Sequence, residues 1–215
     1  MKKHLEKFVF ASSAAVYGDG DPLPLREDYS LKPVSPYGAS KVSGEYYSET
    51  FSECYGLDCV VLRPFNVYGP GQGNSQYAGV ITKFVEAALR GEALTVYGDG
   101  CQTRDFIYVD DVVKAFVKAL EHETSKTEVF NVCTGEPVSI NSLAKLVCEV
   151  TEKDLNITHV ASHGGDILRS CGDPEKAKRV LGFEPGFSLE RGICVVVRWF
   201  QHRYADLVLG KSRMD

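Results

Sequence analysis

The chain has 215 residues, enough for one well-buried core with a small additional lobe. Hydrophobic residues make up 44% of it and charged residues 25%, as is ordinary for a globular protein. The formal net charge of −5 disfavours a broad nucleic-acid surface, and no apolar run is long enough to span a bilayer. The seven cysteines include no C-x-x-C pair and the five histidines are scattered. We therefore expect reduced thiols, no metal site and a cytoplasmic protein.

Short apolar runs alternate with a helical pattern in the first third of the chain. Phe8–Ser12 indicates a buried strand that opens into small polar residues, and Cys59–Arg63 indicates a second. Between them, Ser35-Pro36 is a strong helix start, because serine caps a helix and proline is tolerated at its first position. This helix is predicted to run to about Tyr55 and to end at Gly56.

The rest of the chain continues the alternation, with shorter strands and mixed spacing. Strands alternating with helices predict an α/β fold with a parallel sheet. We expect residues 1–76 to form part of the sheet domain and residues 77–215 to form mainly a smaller lobe, interleaved with returning sheet elements. The later predicted elements are helices at Tyr77–Arg90, Val112–Leu120, Leu143–Val150, Asp173–Gly182 and Leu189–Tyr204, and strands at Leu94–Tyr97 and Glu128–Val132.

The strongest local signal is a Y-x-x-x-K pattern at Tyr37 and Lys41, just inside the first predicted helix. Residues four apart project from the same face of a helix. A nearby ammonium favours phenolate, so such a tyrosine can remove a proton from a sugar hydroxyl. A serine at the carboxyl end of the preceding strand, such as Ser13, can hydrogen-bond the same oxygen. The three groups together suit hydride chemistry at a secondary alcohol, although Y-x-x-x-K alone occurs often by chance.

Four motifs that occur in order give this pattern more weight. They are FASSAAVYG at 10–18, YGASK at 37–41, RPFNVYGP at 63–70 and RDFIYVDD at 104–111. Together they resemble the extended short-chain dehydrogenase/reductase family, and in particular its UDP-sugar 4-epimerases, over nearly the whole chain. The resemblance implies the C-terminal part of a Rossmann-like parallel-sheet domain with a small α/β substrate-binding lobe. It also implies NAD as cofactor, a nucleotide-diphosphate sugar as substrate and a possible homodimer.

The resemblance implies roles for particular residues in the sheet domain. Ser13, Tyr37 and Lys41 would form the catalytic set and would also contact the cofactor, with Lys41 holding the nicotinamide ribose. Asn66 would contact the sugar diphosphate. Arg104 would contact it too, since a guanidinium suits phosphate geometry. The residues that would line the nicotinamide pocket are Pro64, Phe65 and Val67.

The resemblance also implies contacts with the nucleoside. Val80, Thr95 and Tyr97 would hold the uracil, with Tyr97 stacking on it, and Asp166 would accept from ribose hydroxyls. Many UDP-sugar epimerases have R-x-G-D where this chain has His163-Gly-Gly-Asp166. The usual arginine is thus a histidine here, which makes uridine less firmly specified than the diphosphate.

Two further features bear on the reaction. Related 4,6-dehydratases have an Asp-Glu pair after the catalytic hydroxyl residue, and related decarboxylases a glutamate, whereas this chain has Ala14 and Ala15. Alanine cannot move protons, so the sequence favours a 4-epimerase acting by transient oxidation at C4. The alternatives are an NAD(P)-dependent nucleotide-sugar reductase and a non-catalytic fragment that binds nucleotide sugar or needs a partner chain. The second alternative is supported by the absence of a Gly-rich turn for the cofactor pyrophosphate. Without the segment that would carry this turn, we expect the chain alone to be poorly stable and to lose NAD.

Overall fold

The computed structural model describes residues 5–72, 79–162 and 167–208. They confirm the predicted α/β fold and divide into two units. The first unit comprises Met1–Val67, Thr103–Val138 and Gly165–Gly186, and the second Tyr68–Gln102, Ser139–Gly164 and Phe187–Asp215. The elements are β1 (Lys7–Ala11), α1 (Pro36–Tyr55), β2 (Asp58–Pro64), β3 (Asn66–Tyr68), α2 (Val80–Arg90), β4 (Leu94–Tyr97), β5 (Thr103–Tyr108), α3 (Val109–Glu121), β6 (Glu128–Val132), β7 (Pro137–Ser139), α4 (Ile140–Thr151), β8 (Ile157–Val160), α5 (Glu175–Leu181) and α6 (Leu189–Val208).

The main sheet of the first unit is parallel, with the described strands in the order β1-β2-β6. The central strand β2 is almost entirely buried, with Cys59 to Leu62 fully inaccessible to solvent. A strand that is buried on both faces is expected to be continuously apolar, as this one is. The register places Phe10 beside Val61 and Val61 beside Val129.

Helices cover both faces of this sheet. Val60 and Leu62 of β2 pack in one core cluster with residues of α3 and α5. Side chains alternate between the faces of a strand, so Val61 points to the opposite side, where Phe10 of β1 meets α1 at Gly44. A Cβ at Gly44 would lie 2.2 Å from the Phe10 ring, so this glycine allows helix and strand to pack closely. The carboxyl ends of the three strands are thereby held in one layer.

Helix α1 begins and ends as the sequence predicts. The Ser35 hydroxyl accepts from the Gly38 N–H at 3.0 Å, and Pro36 occupies the first helical position. Gly56 ends the helix with φ 67°, and its N–H donates to the Ser52 carbonyl at 2.9 Å. This left-handed conformation suits glycine because it has no Cβ. The chain therefore fixes both ends of the helix that carries Tyr37.

A second sheet, with its described strands in the order β3-β5-β7, includes elements that the sequence pattern did not indicate. Asp105 of β5 is fully buried and accepts from the N–H groups of Thr134, Gly135 and Gly172 at 2.9, 2.9 and 3.2 Å. Its carboxylate also accepts from the Thr134 hydroxyl at 2.7 Å. These bonds satisfy a charge in the interior and tie two loops of the first unit to β5.

The described part of the second unit contains three packed helices and a two-stranded parallel pair. Its core is formed by apolar side chains of α2, α4 and α6, and β4 pairs with β8. Ser139 caps the start of helix α4, and its hydroxyl accepts from the Ser142 N–H at 3.1 Å. Helix α2 begins at Val80, and residues 73–78, which include the predicted start at Tyr77, lie outside the described part. No helix in the described ranges is long and apolar enough to cross a membrane.

Candidate active site

The carboxyl end of β1 presents two consecutive hydroxyl side chains. The Ser12 N–H donates to the Leu62 carbonyl at 2.8 Å, which keeps this point of the chain against the sheet. The Ser13 hydroxyl oxygen accepts from the Ala15 N–H at 3.2 Å and so caps the short 3-10 helix Ala14–Val16. This bond uses an oxygen lone pair, so the Ser13 O–H can still donate to a ligand.

Lys41 extends from α1 to the end of β1. Its ammonium donates to the Ala11 carbonyl at 2.8 Å. The same nitrogen lies 5.4 Å from the centre of the Phe10 ring and 5.5 Å from the centre of the Tyr37 ring, within range of cation–π attraction. Tyr37 itself is 55% exposed, so its phenol is accessible to a ligand. The structure thus places Tyr37 and Lys41 together at the end of the strand that leads into Ser13.

Gly38 allows the first turn of α1 to approach the segment that follows Ser13. A Cβ at this position would lie 2.7 Å from the Ala15 carbonyl oxygen and 3.0 Å from the Pro33 Cβ. The first separation is shorter than real Cβ contacts and is to backbone, and the second is tighter than most such contacts. A glycine is therefore needed where the segments carrying Ser13 and Tyr37 meet, a requirement that the sequence pattern alone did not reveal.

The predicted nicotinamide-pocket residues lie where β2 ends and β3 begins. Pro64 is buried at the end of β2, and Val67 is half-buried against the core cluster that includes Val60 and Leu62. Phe65 is only 5% exposed and packs with Tyr17 in a second core cluster, with the two ring centres 6.4 Å apart. The ring of Phe65 thus has a packing role in the first unit, and its predicted cofactor contact stays a prediction.

The predicted substrate residues are distributed over both units. In the first, Asn66 and Arg104 lie half-buried on the neighbouring strands β3 and β5. In the second, Thr95 and Tyr97 are two residues apart on β4 and share its exposed face, as the period of a strand requires. The two remaining predicted contacts are Val80, at the start of α2, and Asp166, which lies outside the described residues.

A buried polar network that the sequence pattern did not indicate lies behind the predicted catalytic residues. The Glu45 carboxylate accepts from Arg63 twice, from Nε at 2.9 Å and from Nη2 at 2.6 Å, and it also accepts from the Ser12 hydroxyl. Arg63 donates further to the Tyr17 hydroxyl at 2.8 Å, and this hydroxyl donates to Asn131 at 2.7 Å. The only signals in the sequence are the spacing of Glu45, four residues after Lys41, and a charged residue ending an apolar strand.

Burial and pairing set the protonation of this network. Burial raises the pKa of Tyr17 above its ordinary value, although the neighbouring Arg63 opposes this shift. For Arg63, burial opposes the charge, but hydrogen bonds and the charge of Glu45 outweigh it and hold its pKa above the ordinary value. Tyr17 thus remains a neutral hydroxyl and Arg63 a cation throughout the physiological range. Both act as fixed hydrogen-bonding groups there.

Comparison with known proteins identifies the class to which this fold and site belong. Residues 1–133 match the model of the NAD dependent epimerase/dehydratase family, so the chain belongs to that family. The resemblance drawn from the four sequence motifs is confirmed, as is the Rossmann-like fold that it implied.

Several members of this family are similar to the chain over nearly its whole length. A Thermotoga maritima UDP-glucose 4-epimerase, solved with UDP-glucose, is 42% identical with a TM-score of 0.89, over 93% of this chain and 64% of that one. A putative UDP-glucose 4-epimerase of Methanocaldococcus jannaschii is 38% identical, over 94% of this chain and 66% of the relative. A Bacillus cytotoxicus UDP-N-acetyl-alpha-D-glucosaminuronate decarboxylase is 36% identical, over 93% of this chain and 65% of the relative. The chain therefore spans less than two thirds of these relatives, whose activities differ.

Proposed function

We propose that this chain supplies the catalytic and sugar-nucleotide-binding residues of an NAD-dependent UDP-sugar 4-epimerase. The observation that supports this most is the grouping of Tyr37 and Lys41 at the end of β1, beside the segment that carries Ser13. In open parallel α/β sheets, ligands bind at the carboxyl ends of the strands. The grouping therefore lies where a substrate of this fold binds.

Each of these residues has a distinct task in the proposal. The Tyr37 phenol oxygen takes the proton of the sugar 4-hydroxyl and later returns it, as a general base and then a general acid. The Lys41 ammonium, anchored on the Ala11 carbonyl, provides positive charge near the phenol, with its nitrogen 5.5 Å from the centre of the ring. The Ser13 hydroxyl donates a hydrogen bond to the sugar 4-oxygen. Proton transfer at this oxygen then needs no group from solvent.

The residues at the nicotinamide end fit the cofactor that the family uses. Lys41 is a half-buried donor close to the end of β1, suited to the ribose hydroxyls, and Pro64 ends β2 in the same sheet. When bound, NAD supplies the oxidation and reduction at C4. The 215 residues contain no G-x-x-G-x-x-G turn, so their contribution to the proposed cofactor site is limited to the nicotinamide end.

The substrate contacts follow from side-chain chemistry. Arg104 and Asn66 are proposed to hold the diphosphate, because a guanidinium and an amide can donate to its oxygens. Tyr97 is 42% exposed on β4 beside Thr95, which supports its stacking on the uracil. Asp166 completes the proposed set at the ribose. Similar proteins solved with UDP-glucose or UDP-glucuronic acid support a UDP-sugar.

The residues after Ser13 favour epimerisation over the other reactions of the family. Ala14 and Ala15 form the start of the 3-10 helix and offer no group able to move a proton at C5 or C6. A dehydratase or a decarboxylase needs such a group, whereas a 4-epimerase works at C4 alone. We therefore propose that the sugar leaves the site with only its C4 configuration changed.

The cellular setting of the enzyme is part of the proposal. The seven cysteines are all free thiols, which supports a cytoplasmic location. Large aromatic side chains exposed on α1 support a homodimer, because exposed apolar surface favours association. These side chains are Tyr46, Tyr47, Phe51 and Tyr55.

The experiment is to incubate the protein that contains this chain with NAD and UDP-glucose and to separate the sugar nucleotides. The proposal predicts UDP-galactose with no net change in absorbance at the NADH wavelength. Accumulation of NADH, stoichiometric with an oxidised sugar nucleotide, would instead indicate a reductase running in its oxidising direction. Release of carbon dioxide from UDP-glucuronic acid, or formation of a 4-keto-6-deoxy sugar, would contradict the role given to Ala14 and Ala15.

A further inference from the structure

We propose that Glu45 is a positioning residue, which sets the place and rotation of α1 so that Tyr37 and Lys41 face the reacting oxygen. The inference rests on the proposed function, but it concerns a residue outside the catalytic set. Lys41 lies about one helical turn after Tyr37, and Glu45 about one turn after Lys41, so the three follow one another along one side of the helix. Glu45 points into the protein, with 6% of its surface exposed.

The Glu45 carboxylate joins the three segments on which the proposed catalytic and nicotinamide-pocket residues are placed. It lies on α1, accepts from the Ser12 hydroxyl at the end of β1, and pairs with Arg63 at the end of β2. Ser12 immediately precedes Ser13, and Arg63 immediately precedes Pro64. A single buried group thus fixes the helix to both strand ends beside the proposed site.

The hydrogen bonds of Glu45, like those of Lys41 to the Ala11 carbonyl and of Thr127 to the Ser48 carbonyl, are directional, whereas packing against small side chains is not. Apart from Glu45, the buried residues of α1 are Gly38, Ser48 and Ser52, which are small and permit the helix to slide or turn. A rotation of about 20° would move a phenol oxygen, about 8 Å from the helix axis, by about 3 Å. Misplacement of about 1 Å is enough to cost about 100-fold in rate. The two-bond pair with Arg63 prevents such a rotation.

A stability role alone does not explain the arrangement. Burying a carboxylate and a guanidinium costs desolvation, and well-packed apolar residues of similar volume often stabilise a fold as well or better. The exposed side-chain fractions of Arg63 and Glu45 are 4% and 7%, so this cost applies to both. What an apolar pair cannot supply is geometry, since only the planar guanidinium and carboxylate match each other in two parallel bonds.

The test compares four forms of the protein that contains this chain. They are the wild type, Glu45→Gln, the double variant Glu45→Leu/Arg63→Met, and the control Glu49→Gln, which changes an exposed carboxylate one turn further along α1. The double variant leaves no unpaired buried charge, so it can fold where Glu45→Gln is destabilised. For each form we would measure the melting temperature, kcat and KM for UDP-glucose, and amide hydrogen exchange of peptides covering residues 36–46.

Positioning predicts a split between the kinetic constants. In the double variant, kcat should fall about 100-fold with KM within about three-fold and a melting temperature near that of the wild type. Exchange in residues 36–46 should rise in both Glu45 variants but not in the control. A folded double variant that keeps kcat within about two-fold would overturn the inference, as would a fall in kcat that only follows the melting temperature.

The exchange measurement separates this inference from the proposed function. If the wild type shows no epimerisation, the proposed function fails. The hydrogen exchange of residues 36–46 still tests whether Glu45 holds this part of α1 in place. Unchanged protection in both Glu45 variants would then refute positioning. Faster exchange confined to that helix would support it, because a general loss of stability would raise exchange throughout the first unit.

Discussion

Replacing Gly38 with alanine tests how closely α1 must approach the segment that follows Ser13. The new Cβ would lie 2.7 Å from the Ala15 carbonyl oxygen, about 0.7 Å short of the 3.4 Å at which ordinary contact begins. The atom that it meets is backbone, so relief requires the helix start or the 3-10 helix to move. Tyr37 is the adjacent residue on the helix, so the displacement reaches its phenol directly.

The expected effect on stability is small, and that on activity is large. Over-packing costs about 1–3 kcal/mol, whereas alanine gains about 1 kcal/mol over glycine in a helix. The free energy of unfolding should therefore fall by about 0–2 kcal/mol. A displacement of nearly 1 Å between Tyr37 and Ser13 should lower kcat by about 10- to 100-fold.

The assay pairs chemical denaturation with epimerisation kinetics on UDP-glucose. Ser43→Ala, at an exposed position of the same helix, is the matched control and should change neither quantity appreciably. A Gly38→Ala protein with wild-type kcat would refute the reasoning, because it would show that the close approach is not required for catalysis. Unfolding of the whole unit would show that the segment cannot move at all.

Three further predictions address the role of Tyr37 in proton transfer, the contact of Tyr97 with the uracil and the dependence of stability on pH. Tyr37→Phe should lower kcat by about 100- to 10,000-fold with little change in unfolding free energy, since Tyr37 is 55% exposed; a kcat within tenfold of wild type contradicts its role. Tyr97→Ala should raise KM for UDP-glucose about tenfold with kcat nearly unchanged; an unchanged KM would rule out stacking. Burial, with the charges of Asp105 and Asp173, raises the pKa of Cys171 from 9.0 to about 11. Folding therefore favours the protonated thiol. Its contribution to the free energy of unfolding is complete below pH 9 and is lost as the pH rises towards 11. In urea unfolding, the free energy of unfolding of Cys171→Ala should fall less steeply with alkaline pH than that of the wild type. Parallel pH profiles for the two proteins would contradict this role of Cys171.

The sequence predicted the elements that local chemistry determines. Ser35-Pro36 and Gly56 bound α1 as expected, and β1, β2 and β6 lie within one or two residues of their predicted positions. Tyr37 and Lys41 lie together because helical spacing alone requires it. These features depend on residues close in the chain, and so they are visible in the sequence.

Elements that depend on distant partners could not be predicted. Strand β5 contains Asp105, a charge that breaks the apolar pattern and accepts hydrogen bonds from groups of distant residues, namely Thr134, Gly135 and Gly172. Strand β8 is largely exposed and forms by pairing with β4, some sixty residues earlier in the chain. Its sequence therefore lacks the alternation of buried apolar and exposed polar residues by which a strand is recognised.

The surroundings of the proposed catalytic residues show the same division between local and distant determinants. Glu45 and Arg63 are 18 residues apart, and each alone is typical of a solvent-exposed charge. Only the fold shows that they pair inside the protein and hold the end of β1 to α1. The lack of space for a Cβ at Gly38 likewise arises only where two segments are brought together, so neither segment alone reveals it.

The central claim is that the protein inverts C4 by a cycle of oxidation and reduction at a site built on Ser13, Tyr37 and Lys41. UDP-glucose labelled with deuterium at C4 tests it most directly, with NAD present and the product analysed by mass spectrometry and NMR. The account predicts UDP-galactose that retains the deuterium at C4, and a rate reduced at least 100-fold in Tyr37→Phe. Loss of the label to solvent, or conversion that is equally fast without Tyr37, would contradict it.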